Sequence, residues 1–231
     1  GAFVAPSINP DLRRMADAGE IYFQDEASQL VAAVAGHNPT GRLLDLCAAP
    51  GGKTTQIARA YSGVDGTLIV AGDLHESRVN LLGSTCERQN VDSVNIVRYD
   101  AENLLPFADE SFDTVLVDAP CSGTGTIRHN PEIRYFLDPS DFAGLAKKQL
   151  QILRNASYLV RPGGRLIYST CSIQFEENEQ VCEAFLGTAS SFEQTRPHVP
   201  ERMLTSTGFA RTFPHRDQTD GFFIAQFRRR G

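Results

Sequence analysis

Short apolar runs rich in β-branched residues alternate along the chain with longer amphipathic stretches. The apolar runs predict strands, at 42–46, 67–72, 94–98, 112–117 and 165–169. The amphipathic stretches predict helices, near 53–60, 77–88, 140–159 and 176–186. Strands that alternate with helices are typical of βαβ units and of a largely parallel sheet. We therefore predict an α/β fold, in which an apolar run at 222–227 forms a last strand that pairs antiparallel at the sheet edge after the turn at Asp220-Gly221.

The length and composition predict one sizeable domain with a real core. The chain has 231 residues, of which 41% are hydrophobic and 22% are charged. We assign residues 1–40, with one amphipathic patch around 25–34, to an N-terminal lead-in and residues 41–231 to the catalytic domain. The sequence contains no run of about 18 apolar residues, so we expect no membrane-spanning helix. The opening residues show neither an initiating Met nor a secretory pattern, which favours a trimmed chain or a fragment and a cytoplasmic protein.

The charge and the cysteines limit the kinds of partner. A formal net charge of -6 argues against a broad phosphate-binding surface, because Lys and Arg supply most nucleic-acid affinity. Local basic clusters leave room for a positive groove. They are Arg128/His129/Arg134, Lys147/Lys148, Arg211/His215/Arg216 and Arg228–Arg230. The five cysteines are an odd number without C-x-x-C pairs, and the histidines lack metal-ligand spacing, so we expect free thiols and no metal.

A glycine-rich turn follows the first predicted strand. It reads DLCAAPGGK from Asp45 to Lys53, and its small residues leave room for a ligand against the main chain. The next helix would offer unpaired N–H groups to a carboxylate. The candidate ligand-binding residues are Cys47, Ala48, Ala49, Pro50, Gly51, Gly52 and Lys53. A P-loop is the rival, but its motif requires glycine where Cys47 stands.

Two acidic residues at later strand ends extend this candidate site. Asp73 closes the second strand and can accept both hydroxyls of a ribose, which favours an adenosine-containing ligand; the alternative is a helix N-cap. Asp100 follows the third strand, where it either contacts an adenine amino group or forms a turn. We also count Arg78, in the helix after Asp73, among the candidate ligand-binding residues.

Two cysteines lie at the ends of neighbouring predicted strands. Cys121 lies in DAPCSGTG, which begins at Asp118, and Cys171 lies in YSTCS. A free cysteine is usually an inert small hydrophobe. Strand carboxyl ends beside a ligand turn, however, are where α/β enzymes place their reacting groups. Phe222, Phe223 and Phe227 either pack in the core or stack on a base, and their alternation favours the core.

These motifs resemble the Fmu/Sun family of RNA (cytosine-5)-methyltransferases. LLDLCAAPGGKT, DAPCSGTG and YSTCS are similar to its three most specific motifs, in its order, and QDEAS at 24–28 and DGFF at 220–223 resemble the flanking ones. Together they cover about residues 20–227. The resemblance implies a Rossmann-like methyltransferase sheet of seven strands with helices on both faces. It also implies that S-adenosyl-L-methionine (SAM) is held by the glycine-rich turn, Asp73, Asp100 and Asp118.

The same resemblance implies the chemistry. Carbon 5 of cytosine is a weak nucleophile until a thiolate adds to carbon 6, and the family assigns that thiolate to Cys171 and product release to Cys121. Lys53 or the sulfonium would help to ionise Cys171. Asp118 would hydrogen-bond N3 and the amino group of the base, and for that it must carry or share a proton. Family members commonly have an RNA-binding domain ahead of the catalytic one, where this chain has about forty residues.

Three functional alternatives stay open from the sequence. We expect an RNA substrate, with ribosomal RNA favoured over transfer RNA. We expect the protein to be a monomer. DNA cytosine methylation would instead use Cys121 as the nucleophile. The third alternative is a SAM-binding RNA-processing protein that has lost catalysis. The presence of both cysteines and of Asp118 argues against it.

Overall fold

A computed structural model describes residues 3–5 and 7–231 of the chain. Its centre is a single sheet. The strands are β1 (Arg42–Asp45), β2 (Leu68–Asp73), β3 (Val94–Arg98), β4 (Phe112–Asp118), β5 (Val160–Thr170), β6 (Phe192–Thr195), β7 (Ala210–Arg211) and β8 (Phe223–Arg229). The order is β3-β2-β1-β4-β5-β8-β6, and the two-residue β7 also pairs with β8. The first five strands run parallel, and the other three pair antiparallel through β8. The predicted α/β class is confirmed.

The strand count and one strand position differ from the prediction. Among the described residues the sheet has eight strands rather than seven, because the two-residue β7 pairs with β8 beside the seven strands of the main order. β8 pairs antiparallel with β5 as expected, but it lies inside the sheet because β6 covers its other side. The segment Phe192–Thr195 has one buried residue and three partly or fully exposed ones. Because this segment lacks the apolar run that marks the other strands, the sequence did not predict β6 as the edge strand.

Helices cover both faces of the sheet. They are α1 (Pro10–Asp17), α2 (Glu26–Ala35), α3 (Gly52–Ala60), α4 (Glu76–Arg88), α5 (Ile133–Phe136), α6 (Asp141–Leu159), α7 (Glu179–Leu186) and α8 (Pro214–Asp217). Val115 and Leu116 are neighbours in β4 but belong to separate cores, since successive strand residues point to opposite faces. Val115 shares its core with α6 and α7, and Leu116 shares its core with α2 and α3.

The helix α2 is held to the body of the fold. Asp25 caps it by accepting a hydrogen bond from the Ala27 amide (2.9 Å). Ala27, Val31 and Val34 are buried in the core that α2 shares with α3. The division of the chain at residue 40 stays a prediction. In the described part of the chain, every helix is too short or too polar to cross a membrane.

Candidate active site

The glycine-rich turn connects β1 to α3, at the carboxyl end of β1, which lies between β2 and β4 in the sheet. Gly51 has a φ of +106°, a conformation that side-chain-bearing residues rarely adopt. The Ala48 amide donates to the Gly72 carbonyl at the end of β2 (2.9 Å). A Cβ on Gly52 would lie 2.5 Å from the Tyr22 ring. The turn therefore depends on both glycines, one for its backbone conformation and one for close packing.

A cavity opens beside this turn, and the N-terminal segment forms part of its wall. Its lining residues are Tyr22, Phe23, Gln24, Ser28, Asp45, Cys47, Ala48, Ala49, Pro50, Gly52, Lys53 and Asp118. The structure thus brings seven predicted residues of the turn and of β4 together in one pocket. The contribution of Tyr22 to Ser28 was missed because these residues precede the first strand and carry no glycine or charge pattern that marks a ligand site.

Asp45 is a further cavity residue that the candidate set left out. It is buried at the end of β1, and its Oδ2 accepts a hydrogen bond from the Thr54 hydroxyl (2.7 Å). Its Oδ1 has no hydrogen-bond partner among residues 3–5 and 7–231. Burial raises the pKa of Asp45 to about 7, against the opposing effect of the Thr54 hydrogen bond. An ammonium group in the cavity would supply the missing donor, and SAM carries one. Its place as first residue of the glycine-rich motif was the signal available in the sequence.

Asp73 is buried at the end of β2, and three groups of the protein donate to its carboxylate. It accepts hydrogen bonds from Arg78 Nε (2.8 Å), the Leu74 amide (2.9 Å) and the Ala49 amide (3.2 Å). Arg78 also donates to the Ala49 carbonyl (2.9 Å). Arg78 therefore bridges Asp73 to the glycine-rich turn. A ribose at Asp73 would have to share the carboxylate with this guanidinium.

Asp100 has the geometry of a turn residue. Its two carboxylate oxygens accept from the Glu102 amide (2.9 Å) and from Asn103 Nδ2 (2.8 Å). The first contact is the local bond that defines an Asx turn. Asp100 does not line the cavity that holds the glycine-rich turn, and its contact with an adenine stays a prediction.

Lys53 and Asp118 form a partly buried ion pair beside the cavity. Lys53 Nζ lies 2.7 Å from Asp118 Oδ2, and the Ser169 hydroxyl donates to Asp118 Oδ1 (2.7 Å). Burial is the largest single influence on Lys53 and works against its charged form, but the combined attraction of Asp118, Asp45 and Cys171 outweighs burial and raises the pKa of Lys53. The ammonium also lies 5.2 Å from the centre of the Phe222 ring. Lys53 is thus a fixed cation with a proton to share with Asp118.

The two cysteines meet at the ends of β4 and β5. Their Sγ atoms are 3.3 Å apart. The hydrogen bond from Cys121, helped by Lys53 and opposed by burial and Asp118, lowers the pKa of Cys171. The same hydrogen bond, with burial, raises the pKa of Cys121 well above its usual value. When one proton is shared, the thiolate is therefore favoured at Cys171.

Backbone contacts at two glycines join the motifs around these cysteines. The Gly125 amide donates to the Cys171 carbonyl (2.9 Å), and the Gly221 amide donates to the Gly125 carbonyl (2.9 Å). A Cβ on Gly125 would lie 1.9 Å from the Gly221 carbonyl oxygen. We call residues 119–126, which follow β4, the Cys121 loop, and residues 218–222, which precede β8, the terminal turn. Only glycine allows the two segments to approach each other so closely.

Arg128 ties the N-terminal segment to the Cys121 loop and the terminal turn. It donates to Asp25 (2.5 Å), to Asp220 (2.6 Å) and to the Gln218 carbonyl (2.9 Å). Ligand atoms of Asp25, His129 and Asp220 lie within 4.8 Å of one another. The guanidinium of Arg128 contacts both carboxylates of this group, and the expectation that the protein uses no metal stays a prediction.

Most of the predicted basic clusters contain arginines that are paired inside the chain. Arg211 pairs with Glu179, and Arg216 with Asp217. Arg229 pairs with Glu110, and Arg230 with Glu193. The aromatic alternation at 222–227 belongs to the core, as predicted, since all three phenylalanines are buried. All five cysteines are free thiols, which confirms that part of the prediction.

Comparison with known proteins places these features in context. Residues 32–228 match the model of a family described as 16S rRNA methyltransferase RsmB/F. The chain is 38% identical over 219 residues to a probable ribosomal RNA small subunit methyltransferase B of Bacillus subtilis, covering 92% of this chain and 48% of the relative. It is 36% identical over 219 residues to ribosomal RNA small subunit methyltransferase F of Serratia proteamaculans, covering 92% and 45%. The chain spans about half the length of the curated relatives it matches.

Solved structures share the fold. The crystal structure of PH0851 superposes with a TM-score of 0.88 at 36% identity, covering 96% of this chain and 50% of the other. NSun6 from Pyrococcus horikoshii, solved with SFG, superposes with a TM-score of 0.84 at 28% identity, covering 97% and 56%. A SAM-dependent methyltransferase from Aquifex aeolicus shares the fold with a TM-score of 0.52 at 13% identity. The predicted Rossmann-like methyltransferase architecture is confirmed.

Proposed function

The chain belongs to the 16S rRNA methyltransferase RsmB/F family, and from that premise we propose that it methylates carbon 5 of a cytosine in ribosomal RNA through a covalent bond from Cys171. Membership confirms the family resemblance of the sequence motifs and, with it, SAM as the cofactor. The observation that carries the cytosine-5 chemistry is the pair of thiols 3.3 Å apart beside the Lys53–Asp118 ion pair.

The residues of the cavity fit SAM. The unpartnered Oδ1 of Asp45 suits its ammonium group, and the glycine-rich turn leaves main chain open beside it. Asp73 would take the ribose, with Arg78 sharing the carboxylate. When bound, SAM supplies an electrophilic methyl group. Lys53 and Asp118 line the same cavity, so the reacting base would meet the methyl donor next to this pair.

Cys171 acts first. Its thiolate forms a bond to carbon 6 of the cytosine, and the electrons of the 5,6 double bond move so that carbon 5 becomes nucleophilic. The lowered pKa of Cys171 favours the thiolate that this step needs. The Lys53 ammonium, 2.7 Å from Asp118, supplies the proton that the Asp118 carboxylate must share in order to donate to N3 of the base.

Cys121 acts last, and the order follows from the charge on Cys171. The hydrogen bond to Cys171 is the largest cause that raises the pKa of Cys121, and the negative charge of Cys171 adds to it. Both causes disappear when Cys171 is bonded to carbon 6, which lowers the pKa of Cys121 against the burial that remains. Cys121 therefore loses its proton to solvent more readily at that stage. It then takes the proton from carbon 5, whose electrons restore the 5,6 double bond and expel Cys171 as a thiolate. N3 returns its shared proton to Asp118.

The function is tested by incubating the chain with 16S ribosomal RNA, small ribosomal subunits or transfer RNA, each with radiolabelled SAM. The RNA is digested to nucleosides and separated by chromatography. We expect label in 5-methylcytidine from ribosomal RNA. Label in another nucleoside contradicts the cytosine-5 chemistry, and label in transfer RNA alone contradicts the choice of substrate.

A further inference from the structure

Glu177 is a fully buried carboxylate between the two cysteine loops, and the mechanism above does not use it. Its Oε1 accepts hydrogen bonds from the Ser122 amide (2.8 Å) and from Gln149 Nε2 (2.9 Å). Its Oε2 accepts from the Ser122 hydroxyl and from the Ser172 hydroxyl, both at 2.5 Å. Four donors fill the acceptor capacity of a carboxylate. This accounts for a buried charge without a cationic partner among the contacts described.

Three of the four donors belong to the residues that follow the two cysteines. Ser122 comes directly after Cys121, and Ser172 comes directly after Cys171, so one side chain holds both loops. Gln149 also donates to the Pro120 carbonyl (3.0 Å), on the other side of Cys121. Thr124 and Ser172 bring their hydroxyls within 3.2 Å of each other. The two loops therefore meet through Glu177.

We propose that Glu177 is a positioning residue for methyl transfer, which fixes the distance between Cys121 and Cys171 and keeps the shared proton on Cys121. This inference rests on the proposed function, because two cysteines with successive roles need both a fixed separation and a fixed division of one proton. The hydrogen bonds of Glu177 to Ser122 and Ser172 fix the separation of the two cysteines. Its negative charge contributes to the division of the proton between them.

The electrostatic part follows from where the charges lie. The negative charge of Glu177 contributes to the raised pKa of Cys121, after the hydrogen bond to Cys171 and burial. Lys53 contributes to the lowered pKa of Cys171. A carboxylate that acts on Cys121 and an ammonium that acts on Cys171 work in the same sense. Together they select Cys171 as the thiolate of the resting pair.

The test uses Glu177→Gln, which keeps the side-chain volume and removes the charge. The folded variant is alkylated with iodoacetamide at several pH values, and the two cysteines are quantified separately by mass spectrometry. We expect the ratio of Cys171 to Cys121 labelling at neutral pH to fall roughly tenfold, the change that one pKa unit makes in a thiolate fraction. This readout needs no RNA, so it can fail or succeed independently of the proposed substrate.

Glu179→Gln is the matched control. It makes the same chemical change two residues away and breaks the half-buried pair with Arg211. We expect it to lower the melting temperature without changing the labelling ratio. If Glu177→Gln changes stability only, and its labelling ratio equals that of Glu179→Gln, Glu177 is structural and the proposal is overturned.

Ser172→Ala keeps the carboxylate and removes one of its donors, so it covers the case in which Glu177→Gln does not fold. We expect a lower kcat for methyl transfer, an unchanged KM for SAM and an unchanged labelling ratio, because the charge is still present. A parental kcat in this variant would overturn the positioning role. A parent chain that transfers no methyl group at all would instead point to failure of the proposed function.

Discussion

The Sγ atoms of Cys121 and Cys171 lie 3.3 Å apart, close enough for one thiol to donate a hydrogen bond to the other. The two residues are 50 positions apart in sequence and follow the carboxyl ends of two neighbouring parallel strands, β4 and β5. Groups that interact this strongly titrate as a pair. The pair loses its first proton more readily than an isolated thiol does, and it holds the second more tightly, since the pKa of Cys171 is lowered and that of Cys121 is raised.

Replacing Cys171 and replacing Cys121 are expected to block different steps of the reaction. Cys171→Ala should abolish methyl transfer and any covalent complex, because no thiolate remains to add to carbon 6. Cys121→Ala should allow addition and methyl transfer but slow release, so protein accumulates on methylated RNA. Denaturing gels of each variant with radiolabelled RNA give the measurement. A denaturant-resistant band from Cys171→Ala and none from Cys121→Ala would reverse the roles and match the logic of DNA cytosine methylation.

Cys182→Ala is the control for these two variants. Cys182 is a buried free thiol in α7 that packs in the core and lies outside the cavity. Its replacement should cost stability through lost packing, by about 1 kcal/mol, while the covalent complex forms as in the parent. Loss of the complex in this variant as well would mean that the gel reports on folding rather than on the nucleophile.

Asp73 is expected to contribute to SAM binding. Asp73→Ala should weaken the affinity by roughly 1.5–3 kcal/mol, the usual effect of losing a buried charged hydrogen-bond acceptor. Calorimetric titration measures it. Glu76→Gln is the control, because it changes an exposed acid of the next helix that pairs with Arg98. Parental SAM affinity in Asp73→Ala would leave Asp73 as a structural partner of Arg78 alone.

Local patterns were enough to predict most of the framework. The periodicity gave β3 at 94–98 with its observed ends, and the glycine-rich turn lies where the first βα connection required it. The helix predicted from 176 begins three residues later, at Glu179, because Asn178 is not helical (φ -117°, ψ -96°) and residues 175–178 form a turn. That turn carries Glu177 into the core instead of onto a helix surface.

Long-range polar contacts could not be predicted in the same way. Arg128 and Asp25 are 103 residues apart in sequence, and neither the charge pattern nor the spacing connects them. Arg128 was counted as part of a basic cluster, whereas its charge is used inside the chain. A charge in a sequence does not reveal whether it faces solvent, and burial depends on the assembled fold.

This pairing of the arginines predicts weak RNA binding by the chain alone. Arginines of three of the four basic clusters are engaged with carboxylates, and the net charge is -6. Affinity for 16S ribosomal RNA, measured by filter binding, should therefore be weak and should change little as the salt concentration is raised. A steep slope, equivalent to about six or more neutralised phosphates, would contradict the prediction and show a broad RNA-binding surface in this part of the protein.

The affinity for SAM should depend on pH through Asp45. The pKa of Asp45 in the free protein is about 7 because of burial, so the carboxyl group is mostly protonated at pH 6. An ammonium group at its unpartnered Oδ1 favours the ionised form, and binding below pH 7 therefore releases a proton. Affinity should rise about fivefold between pH 6 and pH 7, as the ionised fraction does. Calorimetric titration in buffers of different ionisation enthalpy would measure both the affinity and the released proton. Asp45→Asn should bind more weakly and show no such rise, because the amide does not titrate. A parent chain whose affinity is constant over this range would place the ammonium of SAM away from Asp45.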